Sequence, residues 1–307
     1  MEIIVQTGGL MRTVGWEEGS KMLRDAGFTG VDWNLDAHVS RPDINAGKLD
    51  RDHIYLQSID QIREALNWQL EPMLRHGLQI RQGHAPFPPY SPKVPGLLDY
   101  MVEMYLNLLP YAQELGMHDI VVHGIPWFQG DSNQPTREDN WELNMKLYEP
   151  LIPVLLKGNM RVCLENLFYG HKGRLLEGVC SDVHEAVKMV DTLNAKAGRD
   201  VFGFCVDTGH LNLLNKSQSQ FIGTMGKRVT ALHIHDNDSR SDQHMCPYFG
   251  NIDWDDFLLG LQQAGFTGDI CFETFNQVLP EHSSREAIPV WLRTIHDIGE
   301  TFRSKLV

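Results

Sequence analysis

Cysteine is sparse and unpaired: Cys163, Cys180, Cys205, Cys246 and Cys271 are five in number and form no CxxC pair. An odd count with no paired spacing argues against a disulfide framework and fits a reducing compartment. No stretch of roughly 18 apolar residues occurs, so no transmembrane helix and no membrane partner are expected. The opening MEIIVQTGGL has neither a basic region nor a long apolar core, so secretion is not expected and a cytoplasmic location is. Basic residues are outnumbered, 27 Lys plus Arg against 40 Asp plus Glu, for a formal net charge of −13. An acidic surface repels phosphate backbones, whose binding rests on Lys and Arg, so no nucleic-acid partner is expected. No GxGxxG or GxxxxGK[ST] loop follows the first β-rich run, which argues against an open doubly wound sheet. No Pro/Ser-rich linker divides the chain, so residues 1–307 are read as a single domain.

What is present is a repeated unit. At 42% hydrophobic residues the chain can build a sizeable core. β-Rich runs near 2–7, 29–35, 78–84, 118–124, 161–166, 202–207, 229–235 and 269–274 alternate with amphipathic stretches such as 52–76, 97–116, 181–194 and 284–303. Strict alternation implies a parallel sheet with helices outside, and eight repeats imply closure into an α/β, (β/α)8 TIM barrel. The pentapeptide Ala-Gly-Phe-Thr-Gly occurs at 26–30 and again at 264–268. There Gly27 and Gly265 suit the left-handed residue that ends a helix, with Phe28 and Phe266 packing back on it. Residues 128–140 read as a long loop after the fourth strand, and Asp253 as the N-cap of the seventh helix.

Side chains alternate faces along a strand. Val162 and Leu164 therefore part from Cys163 and Glu165, while Phe202, Phe204 and Val206 part from Gly203, Cys205 and Asp207. Leu232 and Ile234 part from Ala231, His233 and His235, and Ile270 and Phe272 part from Cys271 and Glu273. Each time a small residue sits two below a polar one, and the polar one lies at the C-terminal strand end, where barrels of this kind carry their active sites. Val121 below His123 repeats the pattern. Two like charges ~4 Å apart at an effective dielectric near 20 repel by about 4 kcal/mol. Glu165, Asp207 and Glu273 at one mouth therefore need protons or a cation. With His233 they form a mixed oxygen and nitrogen donor set suited to a divalent metal: Mn, Zn, Co or Mg. His235 is the alternative to His233. His84, His123, His210, Asp242 and His244 lie at further strand ends and loops. Trp127, with Phe128 beside it, is a candidate for stacking on a sugar ring. The remaining histidines, His38 among them, are read as ordinary helix or loop residues.

The segments QGHAPF, VVHG, CLEN, VDTGH, ALHIHDN, DQHMCPYFGNIDW and CFET, in that order over residues 80 to 275, resemble the xylose-isomerase-like barrels. That superfamily comprises sugar isomerases, sugar epimerases and apurinic-site endonucleases. Resemblance to the ketose 3-epimerases implies metal ligation by Glu165, Asp207, His233 and Glu273. It also implies acid/base roles for Glu165 and Glu273, with His210 and Arg240 on substrate hydroxyls. Resemblance to the endonucleases implies that His84, His123, His210, Asp242 and His244 join the four as ligands of more than one ion.

The expected activity is that of a sugar or sugar phosphate isomerase or epimerase acting on a small carbohydrate. A proton leaves the carbon beside a carbonyl and the metal stabilises the resulting enediolate. Alternatives on the same barrel are a keto-polyol dehydratase or lyase, an apurinic-site-type phosphodiesterase, and a silent sugar-binding protein. Barrels of this type often pair through outer helices, so a homo-oligomer is compatible with the reading.

Overall fold

The structure is a computed structural model that describes residues 1–126 and 136–306. Its strands are β1 (Ile3–Gln6), β2 (Gly30–Asn34), β3 (Gln79–His84), β4 (Asp119–Val121), β5 (Arg161–Glu165), β6 (Phe168–His171), β7 (Arg174–Glu177), β8 (Phe202–Asp207), β9 (Val229–His233) and β10 (Ile270–Phe272). Eight form one parallel sheet in the order β10-β1-β2-β3-β4-β5-β8-β9. The two ends meet: Ile234 N–H donates to Cys271 O at 2.9 Å and Glu273 N–H to Ile234 O at 3.0 Å, closing the barrel. Every barrel strand is followed by helix, from Trp16–Ala26 after β1 to Ile288–Leu306 after β10. β6 and β7 form a separate antiparallel hairpin above β5, which the periodicity did not reveal. No described helix is long and apolar enough to cross a membrane.

The expected division of faces is realised as two packing layers. Val162, Leu164, Phe202, Phe204, Val206, Leu232, Ile234, Ile270 and Phe272 are buried against the helices. Inside the barrel Val121, Cys163, Cys205 and Ala231 form their own small apolar cluster. Small side chains suit this position, where residues from several strands point at one another beneath the polar mouth. The repeated pentapeptide ends two helices as expected. Gly27 and Gly265 adopt φ +110° and +63°, and Phe28 and Phe266 N–H donate to Leu23 O and Leu261 O at 3.1 and 3.0 Å.

Two details differ from the sequence expectation. Residues 137–140 are helical rather than loop. Thr136 and Asp139 form a capping box that starts the helix Arg137–Tyr148. Residues 54–56 form a short turn, and the helix expected from 52 begins at Ile59 behind the Ser58/Gln61 capping box. Two register shifts, at Val31/Asp32 against β3 and at Phe204/Cys205 against β9, place Asp32 beside Gln82 and Asp207 beside His233. Bulges of this sort re-aim side chains at a barrel rim.

Candidate metal centre at the barrel mouth

The C-terminal ends of the strands open into a cavity of about 960 Å³. Its floor carries His84, His123, Glu165, His210, Asp242, His244 and Glu273. Beneath them lie Asp207, His233 and His235, each wholly buried. These polar residues sort into two adjoining groups.

The first group surrounds Glu165. Its Oε1 is 2.8 Å from His233 Nδ1, and its Oε2 is 2.7 Å from His123 Nε2 but accepts no hydrogen bond. His84 Nε2 and His123 Nε2 face each other at 3.1 Å, and His84 stacks on His233 with ring centroids 5.5 Å apart. Glu273 Oε2 lies 3.6 Å from the same His233 Nδ1, and Gln6 Nε2 donates to Glu273 Oε1 at 2.8 Å. On its far side His233 Nε2 is 3.2 Å from Asp32 Oδ2.

The second group surrounds Asp207. Its carboxylate caps the short helix Thr208–Leu213, accepting from His210 N–H at 2.7 Å, and approaches His235 Nε2 at 3.0 Å. Asp242 lies 3.6 Å from His210, 3.7 Å from His235 and 3.2 Å from His244. His244 stacks on His235 at 4.1 Å and places Nδ1 3.0 Å from Glu273 O, which joins the two groups. His244 holds φ +46°, in the left-handed region where a non-glycine residue is strained. The loop that carries it is organised by Asp236. That buried carboxylate accepts from the N–H groups of Asn237, Tyr248 and Ile252 and from Trp254 Nε1. The Gly-Asn-Ile-Asp-Trp segment thus serves as a frame for the loop, and Asp253 caps the helix Trp254–Ala264 as expected.

The electrostatics follow from burial opposed by neighbours. Burial would raise the Glu165 carboxyl, but the imidazoles of His233 and His123 outweigh it and hold the group well below the usual range. Burial raises Glu273, and here His233 and His244 do not overcome it. Burial opposes protonation of His210 and His233, yet the surrounding acidic groups raise both. His244 is raised to about 9 against its burial by Glu273 and Asp242. His84 moves the other way, to about 3, because burial is reinforced by His123 and His233.

Of the four residues proposed to share one ion, Glu165, His233 and Glu273 meet directly. Asp207 makes its contacts with His210 and His235 instead. His235 is therefore not a substitute for His233; both are present, one in each group. Arg240 is exposed, its backbone N–H held by Asp238 at 2.9 Å, and it is not among the described residues lining the cavity. Arg12 and Arg41 are lining cations, and Arg41 is paired with Asp36 at 3.0 Å. Trp127 lies outside the described residues. His38, read as an ordinary residue, lines the cavity and bonds Gln69. Sequence reasoning also passed over Gln6 and Asp32. The signal for Asp32 was available in the alternation Gly30-Val31-Asp32-Trp33-Asn34, which puts it on the lining face.

Among the described residues, six groups of three or more His, Cys, Asp or Glu donors have ligand atoms within 4.8 Å of one another, His84/His123/Glu165 and Asp207/His210/His235 among them. Glu165 Oε2, His84 Nε2 and His123 Nε2 converge, at 2.7 Å for His123 to Glu165 and 3.1 Å for His84 to His123, and the Glu165 oxygen is buried without a hydrogen bond, an arrangement that a cation can bridge. The residues present fit a divalent metal.

Comparison with known proteins agrees with this architecture. An uncharacterized protein of Sinorhizobium fredii, y4fM, is 22% identical over 272 residues, covering 82% of this chain and 79% of its own. A D-tagatose 3-epimerase-like protein superposes with a TM-score of 0.67 at 18% identity, covering 100% of both chains. The IolI protein, solved with a bound zinc atom, gives a TM-score of 0.68 at 15% identity over 100% of this chain and 99% of its own. A family model described as xylose isomerase-like TIM barrel matches residues 20–295, and the chain belongs to that family.

Proposed function

We propose that the protein is a metal-dependent sugar isomerase or epimerase that moves a proton at the carbon next to a carbonyl. One observation carries the reading. Glu165 and Glu273 approach the same His233 nitrogen, at 2.8 and 3.6 Å, at the floor of an open cavity, with proton affinities pushed in opposite directions. A pair of carboxyls so divided suits one as base and the other as acid. The ketose epimerase and zinc-bound IolI folds support the same class.

Glu165, His233 and Glu273, with Asp207, His84 and His123 close by, would hold the ion. A divalent ion held there would supply Lewis acidity to the substrate carbonyl. Glu165, kept ionised by His233 and His123, takes the proton. Glu273, oriented by Gln6, returns one. Return on the opposite face of the same carbon gives an epimer, and return to the neighbouring carbon gives an isomer. His210, which lines the cavity beside Phe168, would hold a substrate hydroxyl. The test is solvent-deuterium exchange into a panel of ketoses, inososes and their phosphates. Exchange by the native protein that disappears in both Glu165→Gln and Glu273→Gln supports the assignment; exchange that survives in both variants removes the glutamates from the chemistry.

The second group favours one further reading. Asp207, His210, His235, Asp242 and His244 offer enough donors for an additional ion, as a phosphodiesterase of the apurinic-site type would need. Cleavage of abasic duplex DNA, with more than one ion per chain, would establish that reading in place of the first.

A further inference from the structure

Asp32 is a wholly buried carboxylate that takes no part in the chemistry described above. It stands on β2, where the register shift against β3 sets it beside Gln82. Gln82 Nε2 donates to its Oδ2 at 3.0 Å, and His233 Nε2 faces the same oxygen at 3.2 Å. The Cys271 thiol also donates to Oδ2, at 3.7 Å, and Oδ1 accepts no hydrogen bond. One neutral amide and one weak thiol donor do not compensate a buried negative charge, so the imidazole is the partner the carboxylate requires.

The other nitrogen of that imidazole faces the mouth, 2.8 Å from Glu165 Oε1 and 3.6 Å from Glu273 Oε2. A neutral imidazole carries one proton. With that proton on Nε2, toward Asp32, the Nδ1 lone pair is directed between the two glutamates. With the proton on Nδ1, His233 cannot act as a ligand there. Stacking on His84 at an interplanar angle of 14° keeps the ring in this plane.

From this geometry we infer that Asp32 is a positioning residue for the metal centre: it fixes the tautomer of His233 that binds a divalent ion through Nδ1. The inference rests on the metal reading of this site. Outer partners of ligating histidines act in this way, and losing one typically weakens ion binding by about 10–100-fold.

The experiment uses Zn²⁺ as the probe and the full chain. Ion-free native protein and Asp32→Asn are titrated with Zn²⁺ against a competing chelator. Nitrogen-15 NMR of the Zn²⁺-loaded native protein then locates the His233 proton. The expected result is a Kd raised about 10–100-fold in Asp32→Asn, with the native His233 proton on Nε2. An unchanged Kd, or a native proton on Nδ1, overturns the role of Asp32 and leaves the metal centre standing. Native protein that takes up no Zn²⁺ overturns the metal reading, and this inference falls with it. Should Asp32→Asn fail to fold, the tautomer of the native protein decides the matter alone.

Discussion

Glu165 and Glu273 look equivalent in sequence, yet the structure gives them opposite environments, and their amide variants should differ in stability. Glu165 is 1% exposed and lies between the imidazoles of His233 and His123, which hold its carboxyl well below the usual range against burial. Removing one member of such a buried pair typically costs about 3–5 kcal/mol. Glu273 is pushed toward its neutral form by burial, and the glutamine carbonyl can still accept from Gln6, so Glu273→Gln should cost about 1 kcal/mol or less. An unfolding entropy of about 2.1 cal/mol/K per residue over the 307 residues is roughly 0.6 kcal/mol/K. The first substitution should therefore lower Tm by about 5–8 °C and the second by about 2 °C or less. The assay is thermal unfolding in excess chelator, so that ligand binding does not enter. Because the folded Glu165 carboxyl is lowered from 4.5, its contribution is complete above that pH and is lost as pH falls below it. The gap between native protein and Glu165→Gln should narrow accordingly in acid. Equal losses in the two variants, or a larger loss in Glu273→Gln, would refute the division of roles.

Two other outcomes are expected. A Cβ at Gly209 would overlap the His235 ring, so Gly209→Ala should cost about 1–3 kcal/mol and displace His235 from Asp207. Elemental analysis should then show ion lost from the second group if that group holds one, with the Glu165 group still loaded. Ion uptake should also release protons. His210, His233 and His244 are held protonated in the ion-free protein despite burial, His244 up to about 9, and ligation requires their neutral forms. Affinity should thus rise with pH through neutrality, and calorimetry in buffers of different ionisation enthalpy should register the release; uptake without proton release would contradict it.

Much of this site was legible because it depends on local rules. Strand alternation alone put Glu165, Asp207, His233 and Glu273 on the lining face with small residues below them. Helix ends were equally local, as the two Gly-Phe stops show. The hairpin at 168–177 was not legible, since its short strands carry no buried face to create a pattern. The capped helix start at Thr136 was hidden by a run of polar residues that also reads as loop.

By itself, then, the amino-acid order determined the eight-fold alternation, the face of each strand that lines the barrel, and the end at which its polar residues gather. The tertiary structure decided which carboxylate meets which imidazole. His233 and His235 share a face of one extended segment, yet one turns to Glu165 and Asp32 and the other to Asp207 and Asp242. The physical reason is distance along the chain. Asp32 and His233 are 201 positions apart, and only barrel closure, with register set by the bulges in β2–β3 and β8–β9, brings them within 3.2 Å.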